Sequence, residues 1–253
     1  MHPILIDIGP ITVYTYGFFV AAAFLVGMAV AMREAKRLDL PHKLVPDLGF
    51  YCILSAIIGA RLLYVLLRPR YFLAHPLEIF QFWNGGLVFL GGAIAAAVTV
   101  VWFLRRRQEP VWPWADAIAL GLPLAQAVGR LGCVAAGCCF GKECTLPWAI
   151  TFIDPKSLAP LHQALHPTQV YHVLAGLAVF FLLIATKRWQ TCPGMRFALY
   201  LIGYGALRFG IEFFRGDFRG HIGPLSTTQW IAAGVVVLGL WLWKHRRTQQ
   251  CSQ

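Results

Sequence analysis

Arg61, Arg130, Arg208, Glu212 and Arg215 stand inside or at the ends of apolar stretches. In a membrane an ionised group at such a position costs about 3 kcal/mol or more, so it needs a counterpart. Arginines gathered at one depth would repel one another unless an anion sat among them. A phosphate suits, because guanidinium gives it bidentate, charge-assisted hydrogen bonds, and a phospholipid headgroup carries one at that depth. Two plainer readings stay open: snorkelling of arginines at helix ends, and pairing of Arg208 with Glu212 one turn on. Glycines crowd the same places, in Gly85-Gly86, Gly91-Gly92, Gly129-Arg130-Leu131-Gly132 and Gly203-Tyr204-Gly205. They admit close approach of a ligand, but small residues also serve ordinary contacts between membrane helices.

Sulfur is the second candidate chemistry. The chain has seven cysteines, an odd number, so at least one thiol is unpaired within it. Cys133, Cys138, Cys139 and Cys144 lie within one short segment. A disulfide fastening that segment, small packing residues and a redox thiol pair all remain open. Adjacent Cys138 and Cys139 would not bridge each other without strain. Zinc sites usually draw on cysteine pairs with a second such pair or histidines, and this pattern is incomplete, so neither a metal nor another cofactor is expected.

The elements that must position these groups follow from composition. Soluble domains are about 45–50% apolar and about 25% charged, whereas this chain of 253 residues is 58% hydrophobic and 13% charged. A spanning helix needs about 20 apolar residues to cross about 30 Å of hydrocarbon. The net charge of +11 is not spread as a nucleic-acid surface would spread it, with basic and aromatic residues interleaved on one face, so nucleic acid is excluded as a partner. Instead Arg33, Lys36, Arg37 and Lys43, then Arg105–Arg107, then Lys187, Arg188 and Arg196, then Lys244, Arg246 and Arg247 cluster at the ends of apolar stretches. That is the positive-inside pattern.

With the basic clusters taken as cytoplasmic, the runs Tyr16–Met32, Leu48–Leu67, Gly85–Leu104, Trp114–Val128, Gln169–Thr186, Phe197–Phe214 and Thr228–Trp243 alternate across the membrane consistently. Tryptophans near the span ends, among them Trp83, Trp112, Trp148, Trp189, Trp230 and Trp241, suit an interfacial belt. Met1–Pro10 has no basic region ahead of its apolar residues and no small-residue cleavage site, so a removed signal peptide is not expected. The expectation is an all-α polytopic membrane protein of about seven transmembrane helices with a small extracytoplasmic loop region. It forms one domain over 1–253, with an interfacial arm at 1–15 and an extracytoplasmic segment at 133–167.

The chain resembles the prolipoprotein diacylglyceryl transferases along almost its whole length. The resemblance is carried by Tyr14-Thr15-Tyr16-Gly17, Gly59-Ala60-Arg61, Trp83-Asn84-Gly85-Gly86-Leu87, Gly91-Gly92, Gly129-Arg130-Leu131-Gly132, His166-Pro167-Thr168-Gln169-Val170-Tyr171 and Gly203-Tyr204-Gly205-Ala206-Leu207-Arg208, the last continued by Glu212-Phe213-Phe214-Arg215. It implies transfer of diacylglycerol from phosphatidylglycerol, a membrane lipid, to the lipobox cysteine of a prolipoprotein signal peptide. A thioether forms and glycerol-1-phosphate leaves, at the outer face of a bacterial cytoplasmic (inner) membrane. Catalytic roles fall to Arg130, Arg208, His166 and Tyr16. Phospholipid contacts fall to Arg61, Gly86, Arg130, Gly132 and Gly141, and to Tyr204, Arg208, Glu212 and Arg215.

Three positions depart from the family's commonest pattern: Leu90 stands for histidine, Cys133 for asparagine and Cys138 for glutamate. These mark a cysteine-bearing branch. Leu90 cannot take a proton, which leaves His166, Tyr16 or the field of the arginines to activate the acceptor thiol. Rival readings are the same scaffold acting on another acceptor, and a phospholipid-binding or transport protein without chemistry. A transporter usually shows two related halves with broken helices, which this sequence lacks. The topology is tested by a reporter fused after Gln253, expected in the cytoplasm, and one inserted near Pro155, expected outside. Both reporting from one side would refute it.

Overall fold

The computed structural model describes residues 2–8, 11–189, 192–217 and 220–250. A hairpin, β1 (Ile4–Ile8) and β2 (Ile11–Tyr14), leads into α1 (Thr15–Arg37). Then follow α2 (Val45–Leu66), a short α3 (Pro69–Ala74), α4 (Phe89–Arg106) and α5 (Val111–Ala136). Two-residue strands β3 (Ile150–Thr151) and β4 (Ala164–Leu165) pair ahead of α6 (Thr168–Ala185) and α7 (Met195–Ile211). The strands β5 (His221–Ile222) and β6 (Leu225–Ser226) precede α8 (Thr227–Gln250). Among the described residues six helices are long and apolar enough to cross a membrane; the seventh expected span, Thr228–Trp243, falls in the helix α8, which is not one of those six.

Two expectations are refined. The arm before α1 is an antiparallel hairpin with Asp7 opposite Thr12, as the alternation of Ile4, Ile6 and Ile8 suits. Its end is tied to the helix by Thr15, whose amide donates to the Pro3 carbonyl and whose hydroxyl donates to the His2 carbonyl. The helix α5 does not stop near Val128 but runs on to Ala136, so Gly129–Gly132 is helical rather than the opening of a loop. The reason is packing: a Cβ on Gly132 would lie 2.9 Å from the Phe19 Cβ and 3.3 Å from the Tyr16 Cα. The glycine therefore sustains a close contact with α1 where a breaker would otherwise be expected.

The chain forms two compact units, one of Met1–Leu38 with Ala115–Gln253 and one of Asp39–Trp114. In the first, glycines set the helix contacts, as is usual where lipid offers no hydrophobic drive. Gly121 of α5 meets the backbone of Gly27 in α1, Gly176 of α6 meets the Pro123 carbonyl of α5, and Gly205 of α7 meets the Ala232 carbonyl of α8. In the second unit Gly59 of α2 and Gly91 of α4 close on each other's backbones.

One end of the first unit is an ionic seal. Buried Glu34 accepts from Arg37, Lys187 and Arg196. Asp116 accepts from the Gly194 and Phe197 amides at 2.7 and 2.8 Å, where the N-terminus of α7 favours a carboxylate. Arg246 donates to the Pro193 carbonyl at 2.9 Å. Three basic clusters thus share an end. Removing one partner of a buried ion pair costs about 3–5 kcal/mol, whereas replacing both by apolar groups is often neutral. Glu34→Gln should therefore lower the melting temperature markedly, and Glu34→Met with Arg196→Met should recover much of it. An unchanged melting temperature in Glu34→Gln would rule out a stabilising seal.

Candidate functional site

The opposite end of the first unit is built around α6. His172 stands three residues after Gln169 and four after Thr168, so on the helix surface it neighbours both, and all three are buried. The Thr168 hydroxyl donates to the Cys139 carbonyl at 2.7 Å, and the Gln169 amide donates to the Cys138 carbonyl at 2.9 Å. These two bonds hold the turn that follows α5. In that turn Gly137 has φ of 72° and Cys139 has φ of 63°, a left-handed conformation uncommon outside glycine. The rest of the loop is stitched by backbone. Gly141 donates to the His166 carbonyl at 3.1 Å, Lys142 to the Phe214 carbonyl at 2.9 Å and Gly216 to the Phe140 carbonyl at 3.2 Å. A Cβ on Gly141 would meet the Phe214 carbonyl at 2.8 Å, so only glycine fits. Phe152, Ala159 and Leu165 give the loop its own small core. No disulfide is needed, and Cys133, Cys138, Cys139 and Cys144 are all outside disulfides.

Arg130, Arg208 and Arg215 come together here, all within electrostatic reach of His172. Arg208 donates to Glu212 at 2.8 Å and to the His172 Nε2 at 3.1 Å. A guanidinium has no acceptor, so Nε2 accepts and carries no proton. Ser226 in turn donates to Glu212 at 3.2 Å. Arg215 makes a two-pronged pair with Asp217, both bonds 2.7 Å, while its Nη1 is buried without a hydrogen-bond partner. Arg130 lies among Cys133, Cys139, Tyr204 and Arg215 and makes no ion pair or hydrogen bond among the described residues. Among the described residues, three guanidiniums therefore face two carboxylates, Glu212 and Asp217.

The thiols take part in this field. The sulfurs of Cys133, Cys138 and Cys139 lie within 4.8 Å of one another. Hydrogen bonding from Cys133 and Cys138, then the charges of Arg215 and Arg130, hold the Cys139 thiol below its ordinary pKa, while the same bonding to Cys133 and Cys139 pushes Cys138 up. Tyr16, in the first turn of α1, stands within electrostatic reach of all three thiols and of Arg130.

His166 faces elsewhere. Its Nδ1 is 3.1 Å from the Tyr171 hydroxyl, which accepts from the Trp148 indole at 2.9 Å, and its ring packs on Phe214 with centroids 5.2 Å apart. These groups and Leu207, Gly210 and Ile211 line a groove of about 530 Å³. No hydrogen bond or ion pair ties the His166 side chain to the three arginines among the described residues.

Arg61 and Gly86 belong to the second unit. Arg61 donates to the carbonyls of Glu78, Ile79, Gly85 and Gly86 and lies over the rings of Tyr64 and Phe72. Its donors are occupied by backbone, which makes it a clamp on the segment ahead of α4. Gly86 has φ of 70°, and a Cβ there would meet Arg61 Nη1 at 2.8 Å, so the clamp needs glycine. Leu90 follows in the first turn of α4 and is partly exposed.

Sequence reasoning missed His172, Asp217 and the clamping role of Thr168 and Gln169. The signal for His172 was its helical spacing from Thr168. Asp217 lies two residues beyond Arg215 with only a local pairing to announce it.

The family profile for prolipoprotein diacylglyceryl transferase matches residues 3–245. A phosphatidylglycerol–prolipoprotein diacylglyceryl transferase of Paracidovorax citrulli is 36% identical over 265 residues, covering 98% of this chain and 97% of the relative. One of Clostridium tetani is 30% identical over 247 residues, covering 98% of both, and one of Polaromonas naphthalenivorans is 34% identical over 261 residues, covering 96% and 94%. With the motifs in order along the same helices and the arginines gathered where those motifs meet, the chain belongs to the prolipoprotein diacylglyceryl transferase family.

Proposed function

We propose that this protein transfers diacylglycerol from phosphatidylglycerol to the lipobox cysteine of a prolipoprotein signal peptide at the outer face of a bacterial inner membrane. The observation that carries this reading is the excess of guanidinium over carboxylate at one end of the first unit. A headgroup phosphate entering between Arg130, Arg208 and the unpartnered Nη1 of Arg215 balances the charge. When the acceptor sulfur attacks the glycerol carbon, the carbon–oxygen bond to phosphate breaks and the leaving phosphate gains charge. Guanidiniums already fixed by Glu212, Asp217 and His172 stabilise that charge without reorganising, which is where preorganised electrostatics has most effect.

The other residues take supporting places. Tyr16, Tyr204, Gly132 and Gly141 shape the surroundings of the arginines, and Arg61 with Gly86 holds the loop before α4. The groove beside His166 suits an acyl chain or an apolar signal-peptide residue, so His166 acts there as wall and anchor. The N-terminus and the arginine end are assigned to the outer side and the C-terminus to the cytoplasm. The three basic clusters gathered at the opposite end of the first unit support this orientation.

Arg130 is the cleanest probe, because its removal leaves no partner among the described residues unpaired, whereas Arg208→Ala also leaves buried Glu212 without its cation. With phosphatidylglycerol and a lipobox peptide, Arg130→Ala and Arg208→Ala should each lower transfer by about 10²–10³ in protein that still inserts. Near-normal transfer by Arg130→Ala would remove the phosphate role.

A further inference from the structure

The acceptor must attack as a thiolate, and the proton acceptors around the arginines are already engaged, Glu212 by Arg208 and Ser226 and Asp217 by Arg215. His172 already accepts from Arg208 at Nε2, His166 is engaged with Tyr171 in the groove, and guanidiniums only donate. What the site does hold is three thiols whose sulfurs lie within 4.8 Å of one another.

We propose that Cys133, Cys138 and Cys139 bind a thiophilic divalent cation, zinc, whose open fourth position receives the acceptor thiol. The identity of the acceptor rests on the transfer reading above, whereas the metal rests on the cysteine geometry.

That geometry is close to what a tetrahedral site needs. With zinc–sulfur bonds of about 2.3 Å the sulfurs stand about 3.8 Å apart, so small side-chain rotations close the gap. The scaffold is rigid. Cys133 sits in the last turn of α5, and Cys138 and Cys139 occupy a turn whose two carbonyls are held by Thr168 and Gln169. The left-handed Cys139 backbone turns its side chain and that of its neighbour in a way an extended loop would not. Arg130 and Arg215 lie within electrostatic reach of Cys139 and so favour the deprotonated sulfur that a metal ligand requires. Three protein ligands with one position open to substrate is the arrangement of catalytic rather than structural zinc.

The chemistry closes without any change of oxidation state. The acceptor thiol binds the metal as thiolate, and its proton passes to water. The metal-bound sulfur attacks the glycerol carbon that carries the phosphate ester. The new sulfur–carbon bond forms as the carbon–oxygen bond breaks, and the electron pair leaves on the phosphate oxygen toward Arg130 and Arg215. The thioether product is neutral and a weaker ligand than thiolate, so it departs.

The test uses the full chain purified in detergent micelles with phosphatidylglycerol. Elemental analysis should give about one zinc per chain, retained in Cys144→Ser and lost in Cys138→Ser and Cys139→Ser. Cobalt introduced in place of zinc should show thiolate-to-metal charge-transfer absorption, and a lipobox peptide should alter the cobalt spectrum where the same peptide with serine for cysteine does not. Chelation should lower transfer by about 10²-fold or more, the scale of losing a proton acceptor, and zinc should restore it. The metal and cobalt readings need no turnover, so their success alongside absent transfer would sink the transfer reading and leave the metal site standing. Active protein without stoichiometric metal, a mass showing two of these cysteines joined as a disulfide, or full activity of the Cys138→Ser, Cys139→Ser double variant would overturn the zinc site and leave the transfer reading intact.

Discussion

Three guanidiniums share one end of the first unit, balanced among the described residues by Glu212 and Asp217, and most of what surrounds them fixes that arrangement in place. Desolvated like charges repel strongly, so an arrangement of this kind persists only where each member is held by something else. Arg208 is held by Glu212 and His172. Arg215 is held by Asp217. Among the described residues Arg130 has neither kind of partner, and it is held by its place on α5, where Gly132 presses that helix against α1 at Tyr16 and Phe19. The arrangement leaves more guanidinium than carboxylate among the described residues at this end, which is the feature the proposed phosphate site rests on.

The scaffold distributes its tasks between two ends. Around Glu34 and Asp116 the helices are tied by ion pairs and by a carboxylate at a helix N-terminus. That end can be fully satisfied, because nothing has to enter it. Around α6 the fastening is done by neutral groups, Thr168, Gln169 and the backbone of Gly141 and Gly216. Using uncharged donors there adds no carboxylate beyond Glu212 and Asp217 to the fastening of this end among the described residues. Glycines between α1 and α5, α5 and α6, and α7 and α8 bring backbones close enough for such short-range bonds to form.

Much of this was legible in the sequence because bilayer thickness imposes helix length, and ionisable residues inside apolar runs are too costly to be incidental. Arg130, Arg208 and Arg215 were found on that ground alone, whereas residues 1–15 read only as an interfacial arm, and the hairpin within them emerges from the pairing of β1 with β2. The end of α5 was not legible, since Gly129 and Gly132 look like breakers until their contact with α1 is known. Nor could spacing separate an arginine open to a ligand from one engaged by backbone: Arg61 sits in as strong a motif as Arg130, yet four backbone carbonyls occupy it. His166 stood out beside a proline, whereas buried His172 did not, because only the packing of α6 reveals which face meets the arginines. The convergence of Cys133, Cys138 and Cys139 depends on the left-handed turn at Cys139, which no composition rule announces.

The measurement closest to the central claim is native mass spectrometry of the protein released from micelles holding equal amounts of phosphatidylglycerol and diacylglycerol with the same acyl chains. Both lipids fit the same apolar surfaces, so only the phosphate distinguishes them. Wild-type protein should retain phosphatidylglycerol many-fold over diacylglycerol, and Arg130→Met should lose that preference while retaining both lipids at similar levels. Equal retention of the two lipids by the wild type, or a preference that survives in Arg130→Met, would contradict a site organised around the phosphate.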